Sequence, residues 1–281
     1  PLKKAINQGW LVPFRYYAIF DETVNYETID YRNGKYQTTQ LEEALSIHKR
    51  ADLIFSHYKK YRSTRAMGFC MSKHHAEFMA DYFVKHGVSA CAVYSGDEGV
   101  HNTAREKALS KLVKGEINVI FSVDMFNEGL DIASLDMVMM LRPTESPTIF
   151  LQQLGHGLRL YKDKHYLNVL DFIGNYKKAN FSPYLMTGAS KSQFKKASDV
   201  IKEESLLPED CIMDFDFRLI DLFEKMDRSS IKIEKLLVEE YERIKAELGH
   251  RPSRTELFTY MDETIYLNIK SKAKINPFKN Y

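Results

Sequence analysis

The sequence has few cysteines and no long apolar run, and each shortage argues against a class of protein. Only 3 of 281 residues are cysteine, Cys70, Cys91 and Cys211, and an odd number at wide spacing fits neither a disulfide framework nor a zinc motif. No apolar run reaches the roughly 18 residues of a membrane span. We therefore expect packed, reduced thiols in a soluble protein of the cytoplasm.

The net charge and the first residues of the chain also restrict the classes of protein to which it can belong. Lys and Arg number 40 against 38 Asp and Glu, for a net charge of +2, so nucleic-acid binding would depend on local basic patches. The segment Pro1 to Lys4 has no signal-peptide core. Because no initiating Met is present, we expect a fragment of a longer protein.

A phosphate loop of the form G-x-x-x-x-G-K-[S/T] is also missing, as is the Asp-Glu pair that holds Mg²⁺ in many NTPases. The chain alone is therefore not expected to hydrolyse a nucleoside triphosphate. It can at most complete a site that another domain builds.

Residues 1–61 are expected to form a lead-in to a larger domain. The run Tyr16 to Phe20 is typical of a strand, at an edge or in a hairpin, and the turn signal Arg32 to Lys35 follows it. A capping box of Thr39 and Glu42 then predicts one helix from about Gln40 to Tyr61.

Residues 62–176 alternate short apolar runs with amphipathic stretches. This pattern predicts an α/β domain, RecA-like or otherwise doubly wound, with helices on both faces of a parallel sheet. The expected strands are Ala66 to Met71, Ala90 to Tyr94, Val119 to Val123, Met137 to Leu141 and Leu167 to Phe172, and the expected helices surround Ala76 to Phe83, Thr103 to Lys114 and Pro147 to Leu158.

Residues 177–281 lose this alternation and are expected to form a mainly helical extension. Ile231 to Leu248 has the pattern of a charged amphipathic helix. Ser253 and Glu256 form a capping box, which suits either an ordinary helix junction or the turn of a helix-turn-helix that contacts DNA.

Polar residues follow the predicted strands, where open parallel sheets bind their ligands. Ser72 is a potential helix N-cap, and Ser95-Gly96 is either a simple turn or a loop whose backbone can approach a phosphate. Ser122 to Asp131 places carboxylates, a hydroxyl and a glycine directly after a strand. Gln152 to Arg159 places two glycines in a helical register, where each costs about 0.5–1 kcal/mol relative to Ala, which suggests close approach of a backbone, a ligand or a neighbouring domain.

The order and spacing of these loops, from Arg65 to Gly174, resemble the C-terminal, second RecA-like motor domain of superfamily 2 helicases, closest to type III restriction subunits and DNA-repair helicases. The resemblance implies nucleic-acid contacts for Ser72, Ser95, Gly96 and Ser122. It implies nucleotide contacts for Glu128, Gly129, Asp131, Gly155 and His156. It also implies a catalytic function for Gln152 and Arg159, with Arg159 as the arginine finger.

His156 departs from the resemblance, because the family has an arginine there. An imidazole does not supply the fixed, bidentate charge of a guanidinium. We therefore expect weakened ATP hydrolysis, with a degenerate ATPase left open.

The resemblance implies that the parent protein is an ATP-dependent helicase or translocase. Its expected partners are DNA, with RNA left open, and a first RecA-like motor domain that mainly holds ATP and Mg²⁺. Two alternatives stay open: a non-hydrolysing nucleic-acid-binding or protein-interaction module, and another α/β enzyme such as a nucleotide-sugar transferase.

Overall fold

The computed structural model describes residues 2–32, 35–61, 63–96, 99–123, 132–143, 147–190, 193–194 and 196–260. The chain divides into two compact units, Pro1–Phe223 and Glu224–Tyr281. Within the described residues, no helix is long and apolar enough to span a lipid bilayer.

A parallel sheet forms the centre of the first unit. Its strands are β1 (Phe14–Phe20), β4 (Ala66–Phe69), β5 (Ala90–Val93), β6 (Val119–Ser122), β7 (Met137–Met140), β8 (Leu167–Ile173) and β9 (Ile212–Phe215). They lie in the order β5-β6-β4-β7-β8-β1-β9, and each pairing between neighbours is parallel. A separate antiparallel hairpin pairs β2 (Tyr31–Arg32) with β3 (Lys35–Tyr36).

Helices connect and cover these strands. Those of the first unit are α1 (Leu2–Asn7), α2 (Thr38–Leu45), α3 (His48–Tyr61), α4 (Lys73–Lys85), α5 (Arg105–Lys114), α6 (Pro147–Leu158), α7 (Ser182–Thr187) and α8 (Ala197–Lys202). Every residue of β4, β6, β7 and β8 is buried, as expected where helices cover both faces of a sheet. The predicted RecA-like α/β fold is confirmed.

Strand β1 lies inside the sheet, whereas the sequence predicted an edge strand or hairpin. It pairs with β8 on one side and β9 on the other. Its first five residues alternate between buried and half-buried, and this pattern is also typical of an edge strand. The antiparallel pairing around the turn signal is confirmed, although the turn residues 33–34 lie outside the described part of the chain.

The helix expected from Gln40 to Tyr61 is two helices, α2 and α3. The N-cap of α2 is Gln37 and not Thr39, because the Gln37 side chain accepts a hydrogen bond from the Gln40 amide at 2.5 Å. The backbone leaves the helical region at Ser46, with ψ of 47°.

The segment after residue 176 is not purely helical, since β9 adds a strand to the sheet. Helix α9 (Phe217–Leu248) contains the predicted amphipathic segment, and α10 (Arg254–Tyr260) follows it. The predicted capping box is confirmed: the Glu256 amide donates to Ser253 Oγ at 3.3 Å, and the Ser253 amide donates to Glu256 Oε2 at 2.7 Å.

A buried carboxyl group lies in the interior of β8. Asp171 is fully buried and accepts a hydrogen bond from the Tyr16 hydroxyl at 2.6 Å. Burial raises the pKa of Asp171 to about 7 and raises the pKa of Tyr16 well above its usual range. The pair joins β1 to β8 through side chains, in addition to their backbone pairing.

Candidate nucleic-acid and nucleotide site

Ser122 occupies the carboxyl end of β6, between the ends of β4 and β5. It pairs in register with Phe69 on one side and Val93 on the other. The side chain is fully buried, and its Oγ has no hydrogen-bond partner among the residues that the structure describes. A buried hydroxyl without a partner costs about 1–3 kcal/mol, so this position is disfavoured unless a bound ligand supplies the hydrogen bond.

The loop after β5 is exposed and adjacent to a cation. Ser95 and Gly96 are exposed, and Gly96 has a φ of +104°, which strongly favours glycine. A Cβ at this position would lie 3.3 Å from Lys73 Nζ. Lys73 Nζ also lies 5.6 Å from the centre of the Tyr94 ring. The exposed backbone of this loop and the positive charge of Lys73 therefore lie in the same region.

Ser72 is the N-cap of α4, and its hydroxyl is already engaged. Its Oγ accepts a hydrogen bond from the His75 amide at 3.1 Å and donates to the Glu42 carboxylate. The predicted cap is confirmed. A contact between Ser72 and nucleic acid would have to use its backbone.

One exposed or half-buried stripe of α6 carries Gln152, Gly155 and His156, and Arg159 continues it just beyond the helix. Gln152 and Arg159 are exposed, whereas Gly155 and His156 are half-buried. This spacing of three, four and seven residues places them on one face. The opposite face packs Phe150, Leu154 and Leu158 into the core.

Arg159 does not lie at the carboxyl ends of the strands, where the sequence pattern predicted all four loops. Helix α6 begins after β7 and runs back along the sheet, so that Gly157 packs against Val138 and Leu167 near the amino ends of β7 and β8. A helix of 12 residues extends about 18 Å. Ser122 and Arg159 therefore belong to opposite edges of the sheet.

The two glycines of α6 differ in the space around them, which predicts opposite effects of a methyl group. We expect Gly155→Ala to raise the free energy of unfolding by about 0.5–1 kcal/mol, the helix-propensity gain, because outside its own helix no described residue lies within 4 Å of the added Cβ. Gly157→Ala should lower it by about 1–2 kcal/mol through overpacking, because its Cβ would lie 2.7 Å from Leu167 Cδ1.

Urea denaturation of the two alanine variants measures this difference. Each variant is the other's control, since both change the same helix by the same group. Destabilisation by Gly155→Ala would contradict the open space around that residue.

A buried network at the carboxyl edge was not predicted from the sequence. Arg50 Nε donates to Asp21 Oδ2 at 2.7 Å, and both side chains are fully buried. Arg50 Nη2 also donates to the Leu141 carbonyl at 3.0 Å, and Nη1 lies 3.5 Å from His75 Nε2. Burial, and then the nearby guanidinium, lower the pKa of His75 well below its usual value, so the imidazole is neutral. The network connects α3, α4 and the ends of β1 and β7.

Two features of the sequence could have revealed this network. Asp21 directly follows β1, as polar residues follow the other strands. Arg50 lies four residues before Ile54 and eight before Tyr58, on the buried stripe of α3. A cation within an apolar stripe requires a buried anionic or carbonyl partner.

Glu128, Gly129 and Asp131 lie outside the described residues. Among those that are described, no group of three His, Cys, Asp or Glu side chains could hold a metal ion. The described site therefore consists of Ser122, the Ser95-Gly96 loop with Lys73, and the stripe along α6.

The chain is similar to one protein family and to several known proteins. Residues 39–160 match the model of the helicase conserved C-terminal domain. A Saccharomyces cerevisiae protein with the name "Putative ATP-dependent helicase IRC3" is 29% identical over 121 residues, which cover 43% of this chain and 17% of that protein. A 51.5 kDa protein of a Lactococcus phage is 25% identical over 171 residues, 61% of this chain and 36% of the phage protein.

These matches confirm the resemblance to the C-terminal domain of superfamily 2 helicases. A solved fragment of an HsdR subunit of a type I restriction enzyme from Vibrio vulnificus has a TM-score of 0.48 and 21% identity, covering 76% of this chain and 38% of that one. The chain spans well under half the length of the two curated relatives, 17% and 36%.

Proposed function

Because the greater part of the sheet domain matches the helicase conserved C-terminal domain, we propose that this chain is the second motor half of an ATP-dependent helicase or translocase. The loops at the carboxyl ends of its sheet strands bind the backbone of a nucleic-acid strand, and this contact is the proposed grip. Its α6 stripe completes an ATP site whose phosphate loop belongs to a first RecA-like domain. DNA is the proposed track, and RNA is an outcome of the test.

The observation that carries the proposal is the Ser122 hydroxyl. It is fully buried and has no hydrogen-bond partner in the described part of the chain, and it lies at the strand ends where parallel sheets bind ligands. A phosphate oxygen at this position would accept its hydrogen bond. Lys73 and the exposed Ser95-Gly96 loop follow the two strands that flank β6, and backbone amides and a lysine suit a phosphate in the same way.

The α6 stripe fits the phosphates of a nucleotide held by another domain. The Gln152 amide and the Arg159 guanidinium are exposed hydrogen-bond donors, and the open space over Gly155 admits a neighbouring surface. ATP would supply the free energy for movement along the strand. Asp131 and Glu128, which lie outside the described residues, would face the same nucleotide, and Mg²⁺ would be held mainly by the first motor domain.

Ser122→Ala tests the proposed grip on nucleic acid. We expect the Kd for labelled single-stranded DNA to rise about tenfold or more, because hydrogen bonds to charged groups contribute about 1.5–3 kcal/mol. The free energy of unfolding should not fall, since the change removes a buried hydroxyl without a partner. Fluorescence anisotropy with DNA and RNA oligonucleotides measures the first quantity, and urea denaturation the second.

Ser198→Ala is the matched control, because Ser198 is a buried serine of α8. Its affinity for both oligonucleotides should equal that of the wild type. An unchanged affinity of Ser122→Ala would remove the main support for the proposed grip.

A further inference from the structure

A cleft opens at the amino edge of the sheet, the edge opposite Ser122. Its volume is about 490 Å³, within the range of about 300–1,000 Å³ that is common for ligand sites. Its walls are the residues that precede β4, β7 and β8, together with the end of α3. They include Tyr61, Arg65, Ser134, Tyr161, Lys162 and Tyr166.

Ser134 gives this cleft an unused hydrogen-bonding group. The residue is 4% exposed and lines the cleft, and within the described residues its Oγ has no hydrogen-bond partner. Arg65 Nε is likewise buried without a partner among those residues. Two unused polar groups at one cleft point to a polar ligand, because each is costly when left unpaired.

The charges in the cleft favour an anion. Arg65, Lys162 and Lys164 line it, against the carboxylates of Asp136 and Asp163. Both oxygens of Asp136 are occupied within the chain, since they accept hydrogen bonds from the Ser63 and Thr64 hydroxyls and from the amides of Thr64 and Arg65.

Lys164 is also committed within the chain. Its Nζ donates to the carbonyls of Ala133, Gly157 and Arg159 at 2.8, 2.5 and 3.0 Å. Lys162 is exposed, so this lysine and the Arg65 guanidinium are the cations that a ligand can reach.

Three tyrosine rings of the cleft are held in place by neighbours. Tyr61 stacks on Tyr17 with ring centres 4.0 Å apart. The Arg15 guanidinium lies 3.7 Å from the centre of the Tyr166 ring. Tyr161 is 38% exposed, and the Arg65 guanidinium lies 5.7 Å from its centre. Oriented rings interleaved with cations are typical of surfaces that stack successive bases.

We propose that this cleft is a second site for single-stranded nucleic acid. Bases stack on Tyr161 and Tyr166, Lys162 and Arg65 bind the backbone phosphates, and the Ser134 hydroxyl donates to the strand. The proposal goes beyond the function proposed above, because that grip lies at the carboxyl ends of the strands. A single free nucleotide has one base and would stack on one ring, whereas a strand can use both Tyr161 and Tyr166, so a strand is the better occupant.

Photo-crosslinking locates the strand directly. A single-stranded oligonucleotide with 5-iodouracil at successive positions is crosslinked to the protein, and the modified peptides are identified by mass spectrometry. We expect crosslinks at Tyr161 or Tyr166, separate from any at the loops after β5 and β6. Crosslinks restricted to those loops would overturn the second site and leave the proposed motor grip intact.

Affinity and its salt dependence give the energetic test. Tyr161→Ala should weaken oligonucleotide binding about fivefold or more, since a stacked base contributes about 1–3 kcal/mol. Lys162→Ala should reduce the slope of log K against log salt concentration by about 0.7, the value for one phosphate contact on a single strand. Lys162 is exposed, so Lys162→Ala should not alter the thermal unfolding midpoint.

Lys202→Ala is the control, because Lys202 is an exposed lysine of α8 and does not line the cleft. Its binding should match the wild type. Equal affinities for the two cleft variants and the wild type would overturn the proposal. So would a labelled mononucleotide that binds as tightly as the oligonucleotide and is weakened by Tyr161→Ala to the same degree, since the cleft would then select a free nucleotide.

Discussion

Replacing Arg50 by methionine is expected to lower the free energy of unfolding by about 3–5 kcal/mol, the usual cost of breaking a buried ion pair on one side. Arg50 and Asp21 are both fully buried and are joined at 2.7 Å. The Asp21 carboxylate would lose its buried counter-ion and keep the hydrogen bonds from the Thr23 amide and hydroxyl. The Leu141 carbonyl would also lose its donor.

A second arginine of the chain offers a matched control. Arg218 is joined to Asp216 at the same distance, 2.7 Å, but the two side chains are 41% and 20% exposed. Pairs exposed to water contribute about 0–1 kcal/mol, so Arg218→Met should have little effect. Urea denaturation of both variants gives the comparison. Similar losses would mean that burial does not decide the strength of the Arg50 pair.

The second large effect is expected at Arg159. In the intact protein that carries this chain, Arg159→Ala should reduce the rate of nucleic-acid-stimulated ATP hydrolysis about 10³-fold, the lower range for an arginine finger. His156→Arg should raise the rate, because a guanidinium supplies a fixed bidentate charge at any working pH. A coupled assay with saturating oligonucleotide measures both changes.

Arg243→Ala controls for the loss of an arginine, since Arg243 is an exposed residue of α9 whose guanidinium pairs with Glu247. Its rate should equal that of the wild type. Absence of hydrolysis in the wild type and in His156→Arg alike would contradict the motor function. The chain would then act as a nucleic-acid-binding module, the alternative that an imidazole at residue 156 favours.

The central strands of the fold could be predicted because a strand buried on both faces appears in the sequence as an unbroken apolar run. Runs such as Met137 to Leu141 are apolar throughout, since helices cover both faces of the sheet. The position of β1 was not predictable, because its partners β8 and β9 are distant in the sequence and local patterns carry no information on such pairing. Strand β9 was missed because its residues are half-buried or exposed.

The candidate site residues could be predicted where they lie at the end of a strand. Ser95, Gly96 and Ser122 follow strands and do lie at one edge of the sheet. The location of Arg159 was not predictable in this way, because it depends on the direction in which α6 packs. The pairing of Arg50 with Asp21 was missed because neither residue is near the other in the sequence.

Placing β1 between β8 and β9 also affects how the protein is made. Of the strands in the large sheet, β1 leaves the ribosome first, but its partners at residues 167–173 and 212–215 are synthesised much later. Pairing that spans so much of the chain slows folding, because the intervening loop must close first. Until then the unpaired strand can add to other chains, so synthesis that stops before residue 212 should yield a protein prone to aggregation.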